Sequence, residues 1–210
     1  MDGTLTLPHQ LDFPRMRQAA GLAPGSSIFA AIEELHTPEE RAHAWAAIEA
    51  IELATPLKLQ PGMRELIEAL VANGVRVGIA TRNNARRVAD MEAAAGLPVG
   101  TFSPVLTREG PHPDKPHPAI ALDACAQWGL TPSACLFVGD SSDDMRCGRA
   151  AGMSTCLLTN SPSTPPARPA AVGEPVEALV APTPLADAVD LEVATLGELH
   201  AMVADAVLPL

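Results

Sequence analysis

The sequence predicts an α/β fold: a parallel sheet covered by helices on both faces, with a small helical unit inserted near the N-terminus. Three observations support this. Short apolar runs alternate with amphipathic helical segments from residue 57 onward, and such alternation is typical of parallel sheets. Residues 9–56 are helical in pattern. A chain of 210 residues can form one α/β domain with an accessory unit.

The helical unit, residues 9–56, carries a clear start signal for its last helix. Thr37 is followed by Pro38, which suits the first helical position, and then by Glu40, three residues after the threonine. A threonine with a glutamate three residues later is the pattern of a capping box. The apolar face predicted for the helix that follows consists of Ala42, Trp45, Ile48 and Leu53.

The predicted core domain is discontinuous and consists of residues 1–8 and 57–210. Two runs in it, VRVGIAT ending at Thr81 and CLFVGD ending at Asp140, are rich in Val, Ile and Leu. Uninterrupted apolar runs of this length are typical of strands that are buried on both faces. Residues 161–184 are rich in Pro, Ala and Ser, and we interpret them as a surface loop within the core.

The composition argues against several classes of partner. A net charge of −11 disfavours nucleic acid and anionic membranes, because both are polyanions. Aromatic residues make up only 3% of the chain, which disfavours a base-stacking surface. No run of about 18 apolar residues occurs, so the sequence predicts no membrane span. A small anionic substrate stays compatible with the charge, because a metal ion can reverse the local field.

The four cysteines indicate a reducing environment. Their spacing matches neither a CxxC motif nor a zinc site, and they are Cys125, Cys135, Cys147 and Cys156. Free cysteines of this kind act as small apolar residues in compartments that keep thiols reduced. We therefore predict a cytoplasmic protein or one of another reducing compartment, and the sequence leaves the organelle open.

Polar residues that could bind phosphate and a metal follow the predicted strands. Thr81 and Asp140 end two strands, Lys115 precedes a helix, and Asp2 lies in a turn at the N-terminus. Because ligands bind at the carboxyl ends of parallel strands, we expect these residues to converge. Carboxylates suit Mg²⁺, a lysine offsets the remaining negative charge, and a hydroxyl with neighbouring N–H groups holds phosphate oxygens. Together they predict a magnesium-assisted phosphoryl-transfer site.

Four short motifs, in this order, resemble those of haloacid dehalogenase superfamily phosphatases, in the phosphoglycolate-phosphatase-like branch. The chain contains MDGTLT, IATRN, DKPHP and VGDSSDD. The family pattern is Asp-x-Asp-Gly-Thr, a strand-end Ser or Thr, a Lys, and Gly-Asp-x-x-x-Asp. The resemblance covers nearly the whole chain. It implies a Rossmann-like three-layer core, a helical cap at residues 9–56, and Mg²⁺-dependent hydrolysis of small phosphorylated metabolites through an aspartyl-phosphate.

The resemblance also implies a role for each motif residue. Asp2 would act as general acid and base, while its backbone carbonyl binds Mg²⁺. Thr81 would bind the phosphoryl group, and Lys115 would stabilise negative charge on the nucleophile and substrate. Asp140 would bind Mg²⁺ directly. Asp144 would complete the metal site by orienting metal-bound water or Lys115.

The family's nucleophile has no counterpart among the 210 residues. In the family it is an aspartate two positions before the one that Asp2 matches, at the end of an apolar central strand. It would therefore stand directly before Met1. We expect the natural protein to extend upstream and the 210-residue chain to be inactive. Arg82 and Asn83, which follow the strand-end threonine, are further candidates for phosphate contacts.

Other functions remain open on the sequence alone. A catalytically inactive domain with a binding or scaffold role would keep the same motifs, and a phosphomutase would use the same core residues. A receiver-type signalling domain is disfavoured, because its acidic pair comes early and its lysine comes last. Dehalogenase chemistry is disfavoured as well, since that branch lacks the aspartate that Asp2 matches. Neither the substrate nor the oligomeric state follows from the sequence.

Overall fold

The computed structural model describes residues 1–23, 28–160 and 185–207, with side chains as far as residue 204. The predicted surface loop, residues 161–184, lies outside the described residues. Within the described ranges, no helix has the length and apolarity needed to cross a membrane.

Three helices form the N-terminal unit, and we call it the cap. They are α1 (Phe13–Ala19), α2 (Ile28–Glu33) and α3 (Pro38–Ala54). The predicted capping box of α3 is confirmed: Thr37 accepts the N–H of Glu40 at 3.1 Å, and the Glu40 carboxylate accepts the N–H of Thr37 at 2.9 Å. The cap has its own apolar cluster, in which Met16 and Ile32 are almost completely buried.

The predicted apolar face of α3 is partly wrong. Ile48 is buried as expected, but Ala42 is exposed and Leu53 is 40% exposed. The buried stripe instead follows the spacing of Ala44, Ile48 and Ile51. The difference arises because Trp45 is only half-buried in the cap and lies beside a charged group of the core domain, so it does not mark the centre of the apolar face.

The core domain alternates strands and helices as predicted. The helices are α4 (Met63–Ala72), α5 (Ala85–Ala95), α6 (Ala119–Trp128), α7 (Ser142–Ala151) and α8 (Leu196–Val207). The strands are β1 (Ile79–Ala80), β2 (Val105–Leu106), β3 (Leu136–Gly139), β4 (Ser154–Leu158) and β5 (Leu191–Val193).

All strand pairs are parallel, as predicted, but they form two separate sheets in the described residues. One sheet is β1–β2, with Ile79 opposite Val105, and the other is β3–β4–β5. β1 covers only two residues near the end of the apolar run VRVGIAT.

Helices cover both faces of these sheets, which confirms the three-layer core. On one face α4, α5 and α8 contribute to a single apolar cluster, together with Cys156 and Leu158 of β4. On the other face α6 and α7 pack against Phe137 of β3. The alternation of side chains along each strand sends neighbouring residues into opposite layers.

Candidate active site

A tight turn at the N-terminus brings the first residues to the carboxyl end of β3. The Met1 carbonyl accepts hydrogen bonds from three successive N–H groups, those of residues 4–6, at 3.1, 2.8 and 3.1 Å. Gly3 has a φ of +74°, and a Cβ at this position would lie 1.9 Å from the Asp140 carboxylate. Only glycine therefore allows the turn to pack directly on Asp140.

Both oxygens of the Asp2 carboxylate are held by buried donors. The Thr6 hydroxyl donates to Oδ1 at 3.1 Å, and the Asn83 amide donates to Oδ2 at 2.7 Å. The same amide lies 3.1 Å from Thr81 Oγ1. Asn83 thus joins the first predicted motif to the end of β1, and its side chain is directed to Asp2 and Thr81.

Lys115 and Asp144 form a short ion pair that is largely removed from water. Lys115 Nζ lies 2.6 Å from Asp144 Oδ1, and the two side chains are 10% and 9% exposed. The other carboxylate oxygen accepts the Ser141 hydroxyl at 2.7 Å and the Ser141 backbone N–H at 3.3 Å. The backbone contact, together with the Asp144 N–H donating to the Ser141 hydroxyl at 3.2 Å, forms a capping box at the start of α7. Burial raises the pKa of Asp144, but Lys115, the Met1 ammonium and the hydrogen bonds outweigh it and hold that pKa below its ordinary value.

Asp140 follows β3 directly and has little compensation for its charge. The Thr4 hydroxyl donates to its Oδ1 at 2.9 Å. Burial raises the pKa of this carboxyl, and the nearby Asp144 charge raises it further, against the opposing effects of Thr4 and the Met1 ammonium. A carboxylate in this environment is stabilised by a cation.

These residues fit a magnesium site in which the protein supplies only a few of the metal ligands. Among the described residues, no three His, Cys, Asp or Glu side chains come together as a metal cluster. Mg²⁺ commonly takes one or two carboxylates and completes its shell with water and substrate phosphate. The Asp140 carboxylate matches that pattern. Asp144 has both oxygens occupied by Lys115 and Ser141, so its geometry favours the lysine-orienting role over direct ligation.

Arg82 lies where the cap meets the strand ends. Its guanidinium donates to Asp143 at 2.9 Å and to the Lys115 carbonyl, and it lies 5.7 Å from the centre of the Phe29 ring on α2. Its side chain is 35% exposed. Arg82 thus connects the end of β1 with the Lys115 loop, α7 and α2, and its charge is already balanced by the Asp143 carboxylate.

A second arginine, Arg108, fixes α3 to the core domain. Its two terminal nitrogens donate to the two carboxylate oxygens of Glu52 at 2.6 and 2.8 Å. Its guanidinium lies 4.8 Å from the centre of the Trp45 ring, and that ring lies 5.4 Å from the Phe29 ring. The cap aromatic pair is therefore enclosed by Arg82 and Arg108 of the core.

The structure brings the predicted site residues to one edge of the two sheets, and five of them form two hydrogen-bonded groups, while Asp140 bonds to Thr4 and Arg82 to Asp143. Asp2, Thr81 and Asn83 form one group, and Lys115 and Asp144 form the other. Sequence reasoning missed three supporting hydroxyls, which belong to Thr4, Thr6 and Ser141. Only Ser141 carried a usable signal, because a serine with an acidic residue three positions later is a capping-box pattern.

Comparison with known proteins agrees with this geometry. The family model of the haloacid dehalogenase-like hydrolases matches residues 10–152. An uncharacterized hydrolase of Saccharomyces cerevisiae is 37% identical over 164 residues, which span 76% of this chain and 75% of the yeast protein. The chain belongs to the haloacid dehalogenase-like hydrolases.

More specific relatives match shorter stretches or show the fold alone. A phosphoglycolate phosphatase of Haemophilus influenzae is 35% identical over 102 residues, 49% of this chain and 45% of that protein. The crystal structure of a β-phosphoglucomutase from Clostridium difficile has a TM-score of 0.66 at 13% identity, covering 98% of this chain and 92% of that one. A predicted phosphoglycolate phosphatase from Haemophilus somnus has a TM-score of 0.60 at 20% identity, over 90% and 87% of the two chains.

Proposed function

We propose that this protein is a Mg²⁺-dependent hydrolase of small phosphate monoesters that works through an aspartyl-phosphate. The observation that carries the proposal is the buried Lys115–Asp144 pair at 2.6 Å, placed at the same edge as Asp140 and Thr81. A buried lysine held by one carboxylate is suited to stabilising a second anion beside it.

Thr81 is prepared to donate to a phosphate oxygen. Its Oγ1 accepts two hydrogen bonds from Asn83, one from the backbone N–H and one from the side-chain amide, both at 3.1 Å. With these acceptor positions used, the hydroxyl proton is directed to a further partner. Lys115 would hold the negative charge of the same phosphoryl group.

Asp2 would transfer protons between the leaving group and the attacking water. Its carboxylate is fixed by Thr6 and Asn83, so a proton bound to it would have a defined position.

Asp140 and the Asp2 carbonyl would hold Mg²⁺. When bound, the ion neutralises phosphate charge and orients the phosphoryl group. The raised pKa of Asp140 supports this role, because the charge of a buried carboxylate needs a cation.

The attacking carboxylate would belong to an aspartate directly before Met1. The Met1 nitrogen is buried, and its electrostatic neighbours are Lys115, Asp144, Asp2 and Asp140. A residue joined to this nitrogen would therefore lie within the group of predicted catalytic side chains. This placement is the reason for assigning the attacking carboxylate to that position.

The proposed substrate is a small phosphorylated metabolite, and the phosphatase activity named for the Haemophilus influenzae relative supports hydrolysis over phosphate transfer between sugars. The phosphomutase likeness is one of fold alone. All four cysteines are free and buried, which supports a reducing compartment.

The test compares two polypeptides at equal concentration: residues 1–210, and the same chain preceded by an apolar strand ending in Asp. We expect Mg²⁺-dependent hydrolysis of p-nitrophenyl phosphate by the extended chain only. The short chain should be slower by several powers of ten, because it lacks the nucleophile. Replacing the added Asp by Asn is the matched control. Equal rates for the short and extended chains would overturn the proposal.

A further inference from the structure

The loop that follows β1 holds the Asp2 carboxylate, and we call residues 81–84 the β1 loop. The Asn83 amide donates to Asp2 Oδ2 at 2.7 Å and to Thr81 Oγ1 at 3.1 Å. Asn83 is buried, so its amide cannot turn to water instead. The position of the Asp2 carboxylate therefore depends on how the backbone of the β1 loop is held.

Arg108 holds that backbone at two successive carbonyl groups. Its own backbone N–H donates to the Asn83 carbonyl at 3.2 Å, and its Nη1 donates to the Arg82 carbonyl at 3.4 Å. Arg108 lies in the segment that follows β2, the strand paired with β1. One residue thus fixes the part of the β1 loop that carries the Asn83 amide.

The same guanidinium is the attachment point of α3. Its two terminal nitrogens donate to the two carboxylate oxygens of Glu52, and the Trp45 ring lies against it. The atom Nη1 serves both Glu52 and the Arg82 carbonyl. Because these groups share one planar side chain, a displacement of α3 changes how the β1 loop is held.

A second side-chain contact joins α3 to the β1 loop. The Asn84 amide donates to Glu49 Oε1 at 3.1 Å, while Asn84 Oδ1 accepts the N–H of Arg87 and caps the start of α5. Glu49 and Glu52 are three positions apart, so they lie on one face of α3. Both carboxylates of that face therefore bind residues that are continuous with, or bonded to, the β1 loop.

We infer that Arg108 is a positioning residue, which conveys the position of α3 to Asn83 and thereby keeps Asp2 in place for proton transfer. Arg108 bonds to the backbone of Asn83, and Asn83 in turn bonds to Asp2, so the effect of Arg108 reaches the reacting groups through Asn83. When the attachment is loosened, Asp2 keeps only the Thr6 hydroxyl. The inference rests on the proposed function for the role of Asp2 in proton transfer, whereas the connection from α3 to Asn83 stands on geometry alone.

The test uses two substrates that differ in their need for a proton. Phenyl phosphate and p-nitrophenyl phosphate are similar in shape, but phenolate is the more basic leaving group and depends more on a general acid. The enzyme is the extended chain, in which an apolar strand ending in Asp precedes residue 1. We expect Arg108→Lys to lower kcat for phenyl phosphate by about tenfold or more and for p-nitrophenyl phosphate by about threefold or less.

Lysine is the informative replacement because it keeps the positive charge beside Glu52. Its ammonium is a point charge that cannot hold two carboxylate oxygens and a carbonyl in one plane. Arg64→Lys is the matched control, since Arg64 forms an exposed pair with Glu68 and should leave both rates unchanged. Equal slowing of the two substrates by Arg108→Lys would overturn the inference, because a merely structural role affects both reactions alike.

Two further variants trace the connection. Glu49→Ala breaks the contact with Asn84 without altering Arg108, and it should slow phenyl phosphate more than p-nitrophenyl phosphate. Asn83→Ala should do the same, and adding Arg108→Lys to Asn83→Ala should not change the ratio of the two rates further. If the effects of Asn83→Ala and Arg108→Lys on this ratio multiplied, Arg108 would act independently of Asn83 and the inference would be wrong.

A spectroscopic measurement on residues 1–210 separates this inference from the proposed function. The side-chain amide of Asn83 gives its own signals in a ¹⁵N-labelled protein, and Arg108→Lys should shift or broaden them while Arg64→Lys leaves them unchanged. An unchanged Asn83 amide in Arg108→Lys would overturn the inference whatever the activity. A shifted amide together with no Mg²⁺-dependent hydrolysis by the extended chain would contradict the proposed function and confirm the connection from α3 to Asn83.

Discussion

Arg108 of the core domain and Glu52 of the cap form a two-pronged ion pair that is almost completely buried. The atoms Nη1 and Oε1 are 2.6 Å apart, and the side chains are 9% and 5% exposed. The Arg108 backbone N–H also donates to the Asn83 carbonyl at 3.2 Å. Attachment of the cap is therefore linked directly to the loop that holds Asp2 in place.

We predict that Glu52→Gln destabilises the protein substantially. The change leaves the Arg108 charge buried without its partner, which typically costs about 3–5 kcal/mol. Urea unfolding at pH 7 measures the loss. Glu68→Gln is the matched control, because Glu68 pairs with Arg64 on the surface at 51% and 53% exposure and should change stability by less than about 1 kcal/mol. Similar losses in both variants would contradict the role assigned to the buried pair.

Asp144 should make the protein sensitive to acid. Its pKa is lower in the folded state than in the unfolded chain, so its contribution is present above the unfolded pKa of about 3.9 and is lost as pH falls through the folded pKa. The difference in unfolding free energy between pH 7 and pH 3 should therefore be smaller in Asp144→Asn than in the natural sequence. Asp90→Asn, at an exposed position on α5, should leave that difference unchanged.

Asp140→Asn should stabilise the metal-free protein at neutral pH. The folded state raises the pKa of Asp140, so the carboxyl favours folding below its unfolded pKa, and this contribution is lost as pH rises through the folded pKa. At pH 7 the asparagine side chain of the variant stays neutral, so the variant does not lose stability through a buried charge at this position. We expect Tm to rise by a few degrees, about 2–4 °C per kcal/mol. A lower Tm in Asp140→Asn would show that the charge is compensated without metal.

The same variant should lose its response to Mg²⁺. Thermal unfolding with increasing MgCl₂ should stabilise the natural chain and the Asp90→Asn control, because an ion that binds only the folded state raises Tm. It should leave Asp140→Asn unaffected. An equal response in all three proteins would remove Asp140 from the proposed metal site.

The cysteines should be unreactive in the folded state. Burial raises the pKa of Cys125, Cys147 and Cys156 to about 11. At pH 8 only about one such thiol in a thousand is a thiolate, the form that reacts. Ellman's reagent should therefore report little thiol until denaturant is added, and four thiols afterwards. Rapid reaction of several thiols without denaturant would contradict their burial.

These raised pKa values also set an alkaline limit to stability. The folded state favours the neutral thiols, so their contribution is complete below the unfolded pKa of about 8.5 and is lost as pH rises towards 11. We expect the unfolding free energy to fall between pH 8.5 and 10.5, as measured by urea titration. Cys156→Ala should reduce this slope, since it removes one buried thiol.

The sequence predicted those features that depend on neighbouring residues. The capping box of Thr37 and Glu40 was predictable because both partners lie within one helical turn. The strands that precede Thr81 and Asp140 were visible as apolar runs, and the order of the motifs indicated the family. Such patterns are local, so they can be recognised without knowing which distant segments are in contact.

The tertiary structure alone decided how distant polar residues pair. Arg108 and Glu52 are 56 positions apart, and Asn83 and Asp2 are 81 apart. No sequence pattern indicates that Asn83 bonds to Asp2. From its position two residues after Thr81, the sequence analysis predicted a contact with phosphate instead. Partner choice of this kind depends on which loops the packed helices and strands bring together, and on which buried groups still need a hydrogen bond.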